Sequence, residues 1–227
     1  MNYLAIGLVI LLIIVIYYVY YYLTNTSLTS GLQELNKQLT VNYEKLQNPN
    51  ALKYSYQCWL YISSPTAKPT ALFGRQNLSS KQYDFEVDLD GQTLLLKAGN
   101  GTTNPNTVMT ITNQFPIQKW TYLVINVYNM KTFEAYLNGK LAKTVNVSEP
   151  STVTPSSKTS SLIIGDPKLD GFVTKFTRLP INLDAKTVWE KYLAGNGLTS
   201  YFNSLIPYGL NMSISKGEDV QRVVNIF

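Results

Sequence analysis

In the stretch YDFEVDLDG, Tyr83 to Gly91, an acidic residue stands at every second position: Asp84, Glu86, Asp88 and Asp90. On an extended strand such a row shares one face, and three kinds of chemistry suit it. Two of the carboxylates could act as nucleophile and acid/base across a glycosidic bond. Oxygens of Asp84 and Asp88, joined by Asp166 and Asp170 further along the chain, could ligate calcium. Or the row is the wet face of a strand whose other face, Phe85, Val87 and Leu89, lines a core. The third reading needs only one-sided burial and is the expectation here. No residue is assigned a catalytic role, no cofactor is expected, and the four aspartates stand as the calcium candidates.

Composition narrows the chemistry further. Histidine is missing altogether, which removes the commonest general base, the Ser-His-Asp and Cys-His nucleophiles and nearly every zinc site. The one cysteine, Cys58, has no partner for an internal disulfide, and its apolar strand context predicts a buried small side chain rather than a reactive thiol. The net charge of +5 is spread along the chain, without the basic stripe that tracks a phosphate backbone, so nucleic acid is not an expected partner.

The elements that must position these residues begin with an apolar run. YLAIGLVILLIIVIYYVYYYL, Tyr3 to Leu23, carries no charge, and at ~1.5 Å per residue a helix of this length matches the ~30 Å of a bilayer's hydrocarbon core. Leu4, Ile10 and Ile14 belong to its apolar body, while Tyr17, Tyr18, Tyr20, Tyr21 and Tyr22 read as an interfacial belt. It lacks a basic leader and a small-residue cleavage site, so residues 1–23 are expected to be a retained single-pass anchor with the lipid bilayer as partner. Leu28, Leu32, Leu35, Leu39, Tyr43 and Leu46 then recur at helical spacing, and Ser30 with Gln33 could form a capping box. This predicts a helical stalk over residues 24–50, broken by QNPN.

From Lys53 the period becomes two. Tyr54, Tyr56, Cys58, Leu60 and Ile62 share one face and Gln57, Trp59 and Tyr61 the other. Asp90-Gly91 and Asn138-Gly139 are hairpin signals. In LDAKTVWEKYLAGNG, Asp184 can cap a helix, Val188, Trp189, Tyr192 and Leu193 form its apolar face, and Gly195 can close it. The last segment, 198–227, reads as two strands joined by a turn around Lys216 to Asp219.

The segments YSYQCWLYIS, DGQTLLLKAG, KWTYLVINVYNMKTFEAYLNGKL, LIIGDPKLDGFVTKF and LDAKTVWEKYLAGNG, in this order and spacing, resemble laminin-G-like domains of the concanavalin A-like lectin/glucanase superfamily over roughly Ala51 to Gly197. The resemblance implies a mostly β fold: a two-sheet antiparallel jelly-roll sandwich with one short helix over 51–197, with the strand pair of 198–227 completing or extending it. It also bears on the acids. Retaining glucanases of the superfamily carry Glu-x-Asp-x-Glu, with the first acid as nucleophile and the last as acid/base, and the nearest match here is Glu86, Asp88 and Asp90. The outer two lie ~13 Å apart along a strand, and a pair of inward glutamates could close that to the ~5–5.5 Å a retaining mechanism needs. Asp90 is one methylene shorter and sits in a turn. The acids that many relatives carry after their Gly-aromatic step are replaced here by Thr174-Lys175, which weakens the calcium set.

Two binding roles fit this organisation. One is a non-enzymatic, membrane-anchored structural protein that docks other proteins through loops and edge strands; the other is a membrane-tethered lectin with a shallow glycan site. The lack of a cysteine framework, and of a cluster of Asp, Asn and aromatic residues at one loop tip, favours the first. The tyrosine-rich anchor, Asn-rich composition and sandwich together resemble virion proteins of large nucleocytoplasmic DNA viruses. That resemblance implies a minor capsid protein at the interface of an internal membrane and the capsid shell, with capsid proteins as partners.

Overall fold

The computed structural model describes residues 3–24, 27–29, 31–99, 105–129, 131–147, 160–197, 211–216 and 219–225, without the side chains of 3–6, 20–24 and 211–225. The elements run α1 (Tyr3–Thr24), β1 (Gln33–Glu34), β2 (Leu39–Val41), a 3-10 turn at Tyr43–Lys45, β3 (Lys53–Ile62), β4 (Thr66–Asn77), β5 (Tyr83–Gly91), β6 (Thr93–Ala98), β7 (Asn106–Thr112), β8 (Thr121–Tyr128), β9 (Thr132–Leu137), β10 (Lys140–Asn146), β11 (Ser160–Ile164), β12 (Gly171–Leu179), α2 (Ala185–Leu193), β13 (Asn211–Lys216) and β14 (Asp219–Asn225). Twelve strands build two six-stranded sheets, in the orders β1-β12-β3-β8-β9-β10 and β2-β11-β4-β5-β6-β7. Every pairing in them is antiparallel. The chain crosses between sheets after β1, β2, β3, β7, β10 and β11, as a jelly-roll sandwich requires.

Alternation dictates the core. Tyr54, Tyr56, Cys58, Leu60 and Ile62 of β3 meet Phe85, Val87 and Leu89 of β5 between the sheets, all buried. Tyr56 stacks on Phe85 at 5.0 Å between ring centroids, a contact aromatic pairs favour. Cys58 is fully enclosed, and burial pushes its thiol well above the ordinary range. On the outer face of the first sheet α2 covers a second apolar layer of Trp59, Tyr122, Val124, Tyr136, Leu183 and Val188. Both faces of β3 and β8 are therefore buried.

Local signals place α2 as its sequence suggests. The Asp184 carboxylate accepts the Thr187 amide at 3.0 Å and the Thr187 hydroxyl, which caps the first turn. These bonds hold its carboxyl below the usual range. Gly195 adopts φ +69°, the left-handed conformation that ends helices. The expected apolar face is only half right: Val188 is buried and Tyr192 stacks on Trp59 at 5.7 Å, whereas Trp189 and Leu193 are 41% and 64% exposed.

The helical stalk expected over 24–50 is not a helix. Gln33 and Glu34 pair with Val173 and Phe172 of β12, and Leu39–Val41 pairs with β11. Leu35, Val41 and Leu46 enter the core. Two sheet edges offered unpaired backbone groups to this segment, and closing them outweighs a helix propensity worth only tenths of a kcal/mol per residue. Gly31, at φ +87°, also interrupts any helix. The sandwich therefore begins well before residue 51. Ser30 lies outside the described residues.

At the N-terminus α1 runs 22 residues. Its described large side chains, from Leu8 to Val19, are 47–66% exposed, among them Ile10, Ile14, Tyr17 and Tyr18. The side chains of Leu4, Tyr20, Tyr21 and Tyr22 are outside the described set. Among the described residues, which in α1 include side chains only over 7–19, no helix is long and apolar enough to cross a membrane. At the C-terminus β13 and β14 pair with each other in a two-stranded sheet of their own, closing at Lys216 and Asp219.

Candidate binding face on the second sheet

β5 lies mid-sheet between β4 and β6, and its registers fix what each acid meets. Glu86 stands between Gly74 and Lys97, Asp88 between Ala71 and Leu95, and Asp90 opposite Thr93. Asp84, Glu86 and Asp88 are nevertheless only 2%, 9% and 2% exposed, so the expected wet face is wrong for all but Asp90. The aromatic ring of Tyr83 lies on the same side of the sheet, near Glu86 and Asp88. A methyl group on Gly74 would stand 2.4 Å from the Phe85 carbonyl oxygen and 2.7 Å from the Tyr83 ring. A glycine there lets Tyr83 lie down against β4, beside the acids.

Burying carboxylates is costly unless they are paired or neutralised, and both happen here. Lys97 forms an ion pair with Oδ2 of Asp88. Glu86 is pushed up to about 8, first by burial, then by the Asp88 charge and its hydrogen bond with Asp88, against the pull of Lys97. At neutral pH it is therefore protonated. Oδ1 of Asp88 is buried without a fixed donor, and a protonated Glu86 can supply one. Burial opposes the charge on Lys97, but its bond to Asp88 and the surrounding carboxylates outweigh this and raise its pKa. Burial, with the charges of Glu86, Asp166 and Asp88 behind it, carries Tyr83 to about 12.

The calcium candidates are dispersed. Asp166 accepts the Lys168 amide at 2.9 Å in a tight turn, and Asp170 meets the Ser64 hydroxyl at 3.5 Å. Among the described residues no three His, Cys, Asp or Glu side chains gather as a metal group. The two acids implied by the glucanase pattern are divided as well. Glu86 is enclosed and neutral, and Asp90 is exposed at the turn.

Two residues that matter to this architecture escape a reading of the sequence. Arg75 and Arg178 are 1% and 4% exposed. Arg75 donates through Nε and Nη2 to the Ser160 carbonyl at 3.1 and 2.8 Å. Arg178 donates to the carbonyls of Gln47 at 2.7 Å and Pro49 at 3.2 Å, and lies over the Tyr54 ring. They clamp the Gln47–Pro49 loop onto both sheets. The available signal is that arginine, rare in this lysine-rich chain, twice interrupts a strand, in LFGRQ and FTRLP.

Compared by sequence with curated proteins, the chain matches none. Among solved structures it is similar to the binding domain of botulinum neurotoxin DC in complex with rat synaptotagmin II, at TM-score 0.54 and 16% identity, over 69% of this chain and 39% of that one. It is also similar to the botulinum neurotoxin serotype D ligand binding domain in complex with N-acetylneuraminic acid, at TM-score 0.57 and 14% identity, over 76% and 45%. The chain thus spans less than half the length of these structures, and at such identities the likeness is one of fold. Residues 35–195 match the laminin-G-type family described as "Concanavalin A-like lectin/glucanases superfamily", and the chain belongs to it.

Proposed function

We propose that the chain is a non-catalytic binding module tethered to a membrane by α1. The observation that carries the tether is the helix itself: 22 residues without a charged side chain, with every described large residue from Leu8 to Val19 exposed. At ~1.5 Å per residue such a helix is ~33 Å long, enough for a bilayer core. An apolar surface exposed on all sides of a helix suits lipid rather than water.

The state of the acids supports a binding role over a hydrolytic one. A retaining nucleophile must be ionised and must face an acid/base ~5–5.5 Å away. Glu86 is neutral at physiological pH and Asp90 lies out at the turn. The two neurotoxin domains were solved with a protein and with a sugar, which supports binding as a use of this fold without choosing the ligand. The setting that best joins a tether to a protein-docking sandwich is a virion, where a minor capsid protein links an internal membrane to its shell. Cross-linking in the native assembly tests this: adducts between the sandwich and a shell protein are expected. Recovery of lipid and self adducts alone would reject it.

Glycan binding is the second reading, and the half-buried ring of Tyr83, laid against Gly74 on the second sheet, is the observation that favours it. On a glycan array, saturable binding lost in Tyr83→Ala would establish it; an empty array leaves the protein-docking role.

A further inference from the structure

The first sheet ends at β10, and among the described residues no strand pairs with its far side. All its side chains but that of Val145 are exposed, Leu141 to 55%. An open edge of this kind presents a row of backbone groups with which another chain can pair.

The register says which groups those are. The Val147 amide donates to the Lys131 carbonyl at 2.8 Å. Hydrogen-bonded and non-bonded pairs alternate along an antiparallel ladder, so Val145 and Lys143 turn their backbone groups to Phe133 and Ala135. The amides and carbonyls of Thr144 and Asn146 then point away from the sheet.

Side chains set the sequence that an added strand must carry. Lys140 lies opposite Leu137 and Lys143 opposite Ala135, and both of those partners pack on the core. The bulge between Leu141 and Lys143 keeps the two lysines, three positions apart, on that one side of the strand. Both are exposed, and neither forms an ion pair among the described residues. On the other side Leu141 neighbours Tyr136 and Thr144 neighbours Glu134. The Glu134 carboxylate already accepts the hydroxyls of Tyr128 at 2.9 Å and Tyr136 at 3.1 Å. One side of this edge therefore calls for acids, and the other for apolar or uncharged residues. A second copy of the chain suits it poorly, because self-pairing gathers the lysines of both copies on one side of a short ladder, where like charges repel.

We propose that β10 is a docking edge for an extended, acidic segment of a partner protein, which adds to the first sheet beside β10. Its acids stand at alternate positions, opposite Lys140 and Lys143, and the residues between them are apolar or uncharged, against Leu141 and Thr144. This deepens the protein-docking reading and rests on it.

The test pans a displayed library of random short peptides over the full chain in a mild detergent, then measures the selected peptides by fluorescence anisotropy. Wild type should enrich sequences with Asp or Glu at every second position. Lys140→Glu/Lys143→Glu should weaken those peptides by about tenfold and enrich Lys or Arg in place of the acids. Thr144→Pro removes an outward amide without taking one from the ladder with β9, so binding should be lost while the chain melts close to wild type. If proline perturbs the strand, the charge reversal, confined to exposed side chains, decides. Enrichment without acids, no enrichment, or binding that survives Thr144→Pro in a folded chain overturns the proposal. So does a dimer in detergent that Thr144→Pro dissolves, which would seat a second copy on the edge. Cross-linking in the native assembly separates the two failures. Shell-protein adducts from elsewhere on the sandwich, with no acidic selection, defeat only the edge, whereas lipid and self adducts alone defeat the docking reading itself.

Discussion

Replacing Glu86 with glutamine tests the acid face directly, because glutamine keeps a donor for Asp88 but cannot titrate. In the fold Glu86 ionises near pH 8, against an ordinary 4.5. Between those values the native state holds a proton that the unfolded chain has released. Stability is therefore fully present below about pH 4.5 and declines as pH rises through 8, by about 3–5 kcal/mol for this group. The lower figure allows for rearrangement around the carboxylate. Glu86→Gln removes that decline. The assay is urea unfolding of the full chain in a mild detergent, followed by tryptophan fluorescence at intervals from pH 5 to 9. The difference between variant and wild type should grow with pH in the variant's favour. By pH 9 it should correspond to a melting shift on the order of 10 °C, with m-values unchanged. Parallel curves across this range, or a wild type that gains on the variant as pH rises, would refute the buried, neutral Glu86.

Lys97→Met leaves the buried Asp88 charge without its ion pair and should cost about 3 kcal/mol, whereas Asp88→Asn with Lys97→Met should recover most of it; a double-mutant cycle in urea gives the coupling. Gly74→Ala puts a methyl 2.4 Å from the Phe85 carbonyl oxygen and should destabilise by about 2 kcal/mol or more, measured in the same way. Arg178→Met removes donors from Gln47 and Pro49, leaves the Gln47 carbonyl unsatisfied while Arg75 still reaches Pro49 at 3.4 Å, and should cost about 2 kcal/mol, with faster hydrogen exchange confined at first to the 47–52 loop. Cys58, enclosed and with its thiol pushed up, should resist a thiol reagent at pH 8 until the chain is unfolded.

The parts of this fold legible in the sequence are those that local chemistry decides. Asn138 and Gly139 both take positive φ, 49° and 80°, as the hairpin pattern demands, and Asp184 caps α2 where expected. Period-two alternation assigned the core faces of β3 and β5 correctly. It could not say whether the opposite face is covered: alternation tells which residues share a side, and coverage depends on register and ring placement, here Gly74, Lys97 and Tyr83. The stalk expected over 24–50 failed for another reason. Strands of two and three residues are shorter than any period that can be recognised, and the leucines entering the core there happen to keep helical spacing. Arg75 and Arg178 were invisible because their partners are backbone carbonyls, which any residue supplies.

The tether is tested most directly by reconstituting the full chain into liposomes, washing them at alkaline pH in carbonate, and floating them on a density gradient beside a chain lacking residues 1–24. The intact chain should rise with the lipid and the shortened chain should remain at the bottom, since a spanning helix inserts almost irreversibly. An intact chain that stays at the bottom, with its N-terminus verified, would contradict a membrane-tethered binding module.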